Sequence, residues 1–98
     1  MARINWTEQA LDDVEAICDF ISKDAPRYAQ IFAGKVFNAT EILATYPYSG
    51  RSVPEVDDDK IREIILGNYR IIYKVKNGTV DILTVYHSAR LLDTENLI

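Results

Sequence analysis

The sequence predicts one α+β domain, residues 1–98, with the order β-α-α-β-β-β and a helical hairpin packed on a mainly antiparallel four-stranded sheet. Two observations support this prediction. Up to Pro47 the apolar residues recur every three or four positions, as in amphipathic helices, whereas from Ile61 onward they alternate, as in strands. The length of 98 residues leaves room for a single compact core and for no second one.

The N-terminal half begins with a short strand, Arg3–Trp6, and continues into two helices. Thr7 is a good N-cap, and the apolar stripe after it predicts a first helix over residues 8–23. Pro26 suits the first turn of the second helix, which Pro47 ends. Helices joined this closely form an antiparallel hairpin, which buries its apolar faces against a further element. The two stripes are Leu11, Val14, Ile17, Cys18 and Ile21, then Tyr28, Phe32, Val36, Ala39, Leu43 and Tyr46.

The C-terminal half predicts three strands joined by two tight turns, after a polar loop over residues 48–59. Asn77-Gly78 is a strong signal for a two-residue hairpin turn, and Gly67-Asn68 indicates a second turn. The tail from Ser88 onward is either a last turn of helix or a segment that orders on a partner. The predicted strands are Ile61–Leu66, Tyr69–Lys76 and Thr79–His87.

Composition and charge exclude several classes of protein. Apolar residues are 48% and charged residues 27%, as in globular proteins, and no apolar run is long enough for a membrane span or a secretory signal. Cys18 and His87 are single, which excludes an intrachain disulfide and a His-rich metal site. With a net charge of −4, the protein lacks the excess of basic residues by which a general nucleic-acid binder neutralises phosphates. We therefore expect a soluble, cytoplasmic protein without a metal or cofactor.

The two-residue turn at Asn77-Gly78 also predicts which side chains share a face of the sheet. It pairs Arg70 with Val85, so that His87 lies diagonal to Arg70 on the open face, while Tyr86 faces the helices. An imidazole acts as acid or base near neutral pH, and a guanidinium holds a phosphate, a combination that suits phosphodiester cleavage. An arginine and a histidine close together on an open face are more often an ordinary solvated pair.

Six pieces of the sequence, taken in order, resemble the RelE/ParE superfamily of toxins from type II toxin–antitoxin operons. The resemblance extends from Arg3 to about Arg90 and implies the RelE-like microbial ribonuclease fold. Each piece is unspecific alone, whereas their order together is specific. The pieces are Trp6-Thr7-Glu8-Gln9-Ala10 followed by Asp13, Tyr46-Pro47-Tyr48-Ser49-Gly50-Arg51, Val53-Pro54-Glu55, Ile61-Arg62-Glu63-Ile64-Ile65, Tyr69-Arg70-Ile71-Ile72-Tyr73 and Val85-Tyr86-His87-Ser88-Ala89-Arg90.

The superfamily holds two mechanisms, and the resemblance leaves both open. RelE-like members, including the YoeB group, cut mRNA in the ribosomal A site without a metal, and Glu55, Arg70 and His87 match their base, phosphate clamp and acid. That group ends on an aromatic residue where this chain has Ser88, and the three carboxylates at residues 57–59 would repel a phosphate backbone. ParE-like members instead bind and poison DNA gyrase without hydrolysis. Charge and Ser88 favour the ParE-like interpretation.

Both mechanisms imply a cognate antitoxin as partner, in a toxin–antitoxin hetero-oligomer. The candidate target-binding residues are Arg51, Arg62 and Arg90, although the register places Arg62 opposite Tyr73 on the helix side, where it has a structural role instead. Whether the protein is an enzyme stays open. A further hypothesis is a degenerate toxin that binds only its antitoxin, in which case expression alone leaves growth unharmed.

Overall fold

A computed structural model describes residues 1–90 and residue 92. Its five strands form one sheet in the order β1-β5-β4-β3-β2, and both helices cover the same face of it. β1 runs parallel to β5, and all other neighbouring strands are antiparallel. The elements are β1 (Arg3–Trp6), α1 (Glu8–Ser22), α2 (Pro26–Glu41), β2 (Arg51–Ser52), β3 (Ile61–Leu66), β4 (Tyr69–Lys76) and β5 (Thr79–His87).

The predicted fold class is confirmed, and the structure adds detail at two places. α2 ends at Glu41, and a 3₁₀ turn, Ile42–Ala44, continues it. The predicted polar loop contains β2, so the sheet has five strands instead of four. β2 forms because Val53, directly after it, is buried and holds this part of the loop against the edge of β3. The predicted tail lies outside the described residues from position 91 onward, apart from Leu92.

The described residues form a core on each face of the sheet. The larger core lies between the helices and the sheet and includes Val36, Leu43 and Ile82. A smaller core lies on the other face, where the loop after β2 covers part of the sheet. Its buried residues are Val53, Ile61, Ile72 and Tyr86. No helix within the described residues is long and apolar enough to cross a membrane.

A β-bulge in β5 reverses the faces of the last residues of that strand. Tyr73 pairs with Ile82, but Ile72 pairs with Thr84, so Leu83 is an extra residue that no residue of β4 opposes. The predicted hairpin register is confirmed from the turn as far as the bulge and is wrong beyond it, because a shift of one residue exchanges the two faces.

The start of α1 holds this bulge in place. The Thr7 hydroxyl donates to the carbonyl of Ile82 at 2.7 Å and accepts from the N–H of Ala10, so it caps the helix and binds the strand at once. Asp13 Oδ2 accepts from the hydroxyl of Thr84 at 2.5 Å and from the N–H of Val85 at 3.0 Å. The side chains of α1 therefore satisfy polar groups beside the irregular position.

Candidate functional site

Arg70 and His87 lie on opposite faces of the sheet, so their predicted convergence is wrong. Beyond the bulge, Arg70 pairs with Tyr86 and His87 pairs with Tyr69. The His87 ring meets the Tyr69 ring edge-on with centroids 5.3 Å apart, and the Tyr69 ring packs against Phe32 of α2 at 4.9 Å. His87 is therefore on the helix side, while Arg70 and Tyr86 are on the other side.

Arg70 is buried and bound by two carboxylates. Its Nε donates to Glu63 Oε1 at 2.5 Å, and its Nη1 and Nη2 donate to Glu55 Oε2 and Oε1 at 2.7 and 2.9 Å. The second oxygen of Glu63 accepts from Nε of Arg51 at 2.6 Å. These four residues, Arg51, Glu63, Arg70 and Glu55, form an alternating chain of charges that we call the charge network.

Burial increases steadily toward the middle of the charge network. The side chain of Glu63 is 0% exposed and that of Arg70 is 9% exposed, whereas Glu55 is 38% and Arg51 is 61% exposed. The hydrogen bonds to Glu55 raise the pKa of the Arg70 guanidinium, and the same bonds lower the pKa of the Glu55 carboxyl. Glu55 is thus held ionised, with both oxygens occupied. A phosphate group that binds Arg70 from that side has to displace it.

Tyr86 lies beneath this network. Its ring centroid is 5.4 Å from the Arg70 guanidinium carbon. Its hydroxyl is buried and has no hydrogen-bond partner among the described residues, and burial raises its pKa. The prediction that Tyr86 faces the helices is wrong, because the bulge exchanges the two faces of β5 at this position.

Glu63 was not identified as a site residue from the sequence, although a signal for it exists. It is an acidic residue within an apolar strand, and the turn at Gly67-Asn68 fixes its register. Because Ile65 pairs with Arg70, Glu63 lies diagonal to Arg70 on the same face, within reach of a long side chain.

Arg62 is occupied by the loops around it. Its predicted pairing with Tyr73 is confirmed, but its guanidinium lies 4.8 Å from the ring centroid of Tyr48. Its Nε donates to the carbonyl of Asp59 at 2.9 Å, and its Nη1 donates to that of Gly50 at 3.0 Å. Arg62 therefore holds two loop segments together through its Nε and Nη1 atoms.

The other two candidate arginines are more accessible. Arg51 belongs to the charge network through Nε but remains largely exposed. Arg90 is exposed in the turn after β5, where its N–H donates to the carbonyl of His87. Across residues 1–90 and 92, no three His, Cys, Asp or Glu side chains lie close enough together to hold a metal ion.

Comparison with known proteins agrees with this fold. Residues 4–92 match the family described as ParE toxin of type II toxin-antitoxin system, parDE. Toxin RelE2 of Caulobacter vibrioides is 38% identical over 92 residues, which is 93% of this chain and 100% of that protein.

Two solved structures share the architecture. The first, from a chromosomal ParDE toxin–antitoxin system of P. aeruginosa, has a TM-score of 0.75 at 21% identity, over 89% of this chain and 96% of that one. The second, from the toxin–antitoxin complex RelBE2 of Mycobacterium tuberculosis, has a TM-score of 0.60 at 25% identity, over 91% and 93%. The chain therefore belongs to the ParE toxin family of type II toxin–antitoxin systems, within the RelE/ParE superfamily.

Proposed function

We propose that this toxin acts by binding DNA gyrase, as ParE-like proteins do, and not by cutting RNA. The observation that carries the proposal is the separation of Arg70 from His87 by the sheet. General acid–base cleavage needs the acid, the base and the phosphate clamp within hydrogen-bond reach of one scissile group. Here the acid candidate is on one face, and the clamp and base candidates are on the other.

The occupied state of Arg70 supports the same proposal. Two carboxylates already neutralise this guanidinium, and Glu55 binds it through both oxygens. A phosphate would only exchange a well-formed charge pair with Glu55 for another of similar kind, and it would add its own negative charge next to the buried carboxylate of Glu63. The net charge of −4 also gives no general attraction to a ribosome.

Within this proposal, Arg90 is the candidate arginine for contact with gyrase. It is exposed, it follows the last strand, and it belongs to the His-x-x-Arg piece that resembles ParE-like toxins. Arg62 is a scaffold residue because its guanidinium binds loop carbonyls. The proposal further includes a cognate antitoxin that binds and neutralises the toxin in a hetero-oligomer, and it locates the protein in the cytoplasm, where gyrase acts.

The proposal is tested by inducing the toxin without its antitoxin and pulse-labelling DNA and protein synthesis in the first minutes. We expect DNA synthesis to fall first, and we expect purified toxin to inhibit supercoiling by gyrase. His87→Gln should stay toxic, while Arg90→Ala should be weakened. Collapse of translation before DNA synthesis, accompanied by cleavage of mRNA, would refute the proposal.

A second candidate function is a metal-independent, ribosome-dependent mRNA endoribonuclease. It is favoured by the 38% identity to a protein named RelE2 and by the buried hydroxyl of Tyr86 next to Arg70, which has no hydrogen-bond partner within residues 1–90 and 92. On this alternative, Glu55 and Arg70 serve as base and clamp after the substrate has separated them. If induction of the toxin stops neither DNA synthesis nor protein synthesis, the protein is instead a degenerate toxin that only binds its antitoxin.

A further inference from the structure

A cavity of about 310 Å³ lies where the first half of α2 meets the turn between β3 and β4 and the end of β5. Its volume is at the lower end of the range of small-molecule sites, roughly 300–1,000 Å³. Such sites combine apolar and aromatic walls with a few polar groups, and this cavity has both. We call it the His87 cavity. Its aromatic and polar lining residues include Tyr28, Phe32, Lys35, Asn68, Tyr69 and His87.

Three rings form a fixed wall of the His87 cavity. Phe32 is buried and packs against Tyr69, whose ring in turn meets that of His87 edge-on. The N–H of Ser88 donates to the carbonyl of Asn68 at 2.8 Å and so ties the end of β5 to the turn. Because packing already holds these rings in place, a planar ligand that stacks on them costs the protein little conformational freedom.

Tyr28 extends this aromatic wall toward solvent. It precedes Phe32 by four residues, so the two side chains lie on the same face of α2. Phe32 is part of the core, whereas Tyr28 is 54% exposed. An exposed ring beside a cavity suits stacking on a nucleobase, and such stacking accepts any base because every base has a π-face.

The polar groups of the His87 cavity are available to a ligand. Lys35 and Asn68 are exposed, and no salt bridge within residues 1–90 and 92 involves Lys35. Nδ1 of His87 accepts from the N–H of Ala89 at 3.1 Å, so in the neutral ring Nε2 carries the proton and is a donor. The cavity therefore offers a cation, an amide and a ring N–H.

The charge of the cavity favours an anionic ligand. Among the described residues that line it, none is acidic, so Lys35 is a local positive charge on a protein whose net charge is −4. Lys35 follows Tyr28 by seven residues, or two helical turns, which places the two roughly 10 Å apart along one face of α2. A nucleotide also has its negative charge at a distance from its flat ring, because a sugar separates the phosphate from the base.

We propose that the His87 cavity binds a single nucleotide, with the base on its aromatic side chains and the phosphate at Lys35. The side-chain amide of Asn68, which both donates and accepts, pairs with an edge of the base. The ligand is a free nucleotide or an unpaired nucleotide of a nucleic acid, since both present the same groups. The site lies on the helix side of the sheet and is separate from Arg70 on the other face. It does not depend on whether gyrase is the target.

The test titrates the purified full chain with adenosine monophosphate, by calorimetry and by NMR of the backbone amides. We expect saturable binding with a Kd below about 1 mM, and the largest shifts at Gly67, Asn68 and His87. Adenosine lacks the phosphate and inorganic phosphate lacks the ring, so each should bind at least about tenfold more weakly. A single-stranded oligodeoxyadenylate that binds more tightly at the same amides would identify a nucleic acid as the source, and one that binds no better would identify a free nucleotide.

Two variants of the cavity and two matched controls locate the site. Lys35→Gln and Tyr28→Ala should each weaken binding of adenosine monophosphate at least about fivefold, through loss of a phosphate contact and of a stacking ring. Lys60→Gln and Tyr46→Ala should bind it as the unaltered protein does. Lys60 and Tyr46 are an exposed lysine and an exposed tyrosine that do not line the cavity. All four positions are exposed, so we expect each variant to keep the circular dichroism spectrum of the unaltered chain.

Three results would overturn the proposal. The first is no saturable binding of adenosine monophosphate or of the oligonucleotide. The second is inorganic phosphate binding as tightly as the nucleotide with Tyr28→Ala unaffected, which would show only attraction of anions to Lys35. The third is a set of amide shifts centred on Glu55 and Arg70, which would place the nucleotide on the other face of the sheet. Binding to the purified chain is measured without gyrase, so this proposal and the proposed function fail independently.

Discussion

Replacement of Glu63 by glutamine tests how much the charge network stabilises the fold. Glutamine has nearly the same shape, and its amide oxygen still accepts the Nε–H of Arg70. Its NH₂ group, however, would point at Nε of Arg51, so that a donor faces a donor. The substitution therefore removes a fully buried negative charge between two guanidinium groups and changes little else.

The magnitude follows from the burial of the two pairs that Glu63 makes. Arg51 is 61% exposed, so solvent screens that pair and its contribution is at most about 1 kcal/mol. Arg70 is 9% exposed, and loss of one partner of a buried pair costs about 3–5 kcal/mol. Arg70 keeps its two hydrogen bonds to Glu55, which lowers this cost. We expect Glu63→Gln to reduce the free energy of unfolding by about 2–3 kcal/mol, or the thermal midpoint by about 10–20 °C.

The assay is urea unfolding followed by circular dichroism at pH 7, with Glu55→Gln as the control. Glu55 is 38% exposed, so its loss should cost about 1 kcal/mol or less.

Because Arg70 lowers the pKa of Glu55 in the folded state, the stabilisation by Glu55 is complete above the ordinary carboxyl pKa of about 4.3. It is lost as the pH falls through the lowered pKa, and Glu55→Gln should remove that part of the acid slope. If Glu63→Gln lowers the free energy of unfolding no more than Glu55→Gln does, the expectation that the buried pair stabilises the fold is refuted. In that case desolvation of the buried carboxylate cancels its attraction to Arg70.

Further predictions concern the bulge in β5 and the close approach of Gly50 to the Tyr73 hydroxyl. Asp13→Ala leaves the N–H of Val85 without its acceptor and should cost about 1–3 kcal/mol; hydrogen exchange at Val85 should accelerate, and an unchanged rate would contradict the assigned role. Gly50→Ala should cost at least about 2 kcal/mol in urea unfolding, because the added Cβ would lie 2.5 Å from the Tyr73 hydroxyl oxygen. Gly34→Ala is its control: nothing lies within 4 Å on this exposed helix, and we expect a gain of up to about 1 kcal/mol. Equal effects at the two glycines would refute the clash.

The elements could be predicted because each is set by a local pattern. The alternation in β3, β4 and β5 and the turn at Asn77-Gly78 fix the three strands, whose predicted limits match the structure. β2 was not predicted because two residues are too few to show an alternation of apolar and polar side chains. Its formation depends on the burial of Val53, which is a tertiary contact.

The candidate site was predicted less well, because its geometry depends on the bulge at Leu83. Nothing in the sequence of β5 marks that residue as extra, since the hydrogen bonds that hold the bulge come from Thr7 and Asp13, about 70 residues away in the chain. Glu55 and Arg70 do meet, as the resemblance implies, whereas His87 does not join them. Local patterns determine which strands form, whereas contacts with a helix at the other end of the chain accompany the bulge that sets which way the last side chains of β5 point.

This dependence has a consequence for comparing members of the family. Where residues such as Thr7 and Asp13 retain the bulge, a strand with the same sequence as β5 has its histidine on the helix side of the sheet. Where the strand pairing is regular, the same histidine lies on the face that carries Arg70. Two homologues can therefore share every residue of the three hairpin strands and still differ in whether an acid and a phosphate clamp meet. The first two turns of α1, which contact neither Arg70 nor His87 by any described hydrogen bond, are the part of the sequence to align before a nuclease function is assigned or denied.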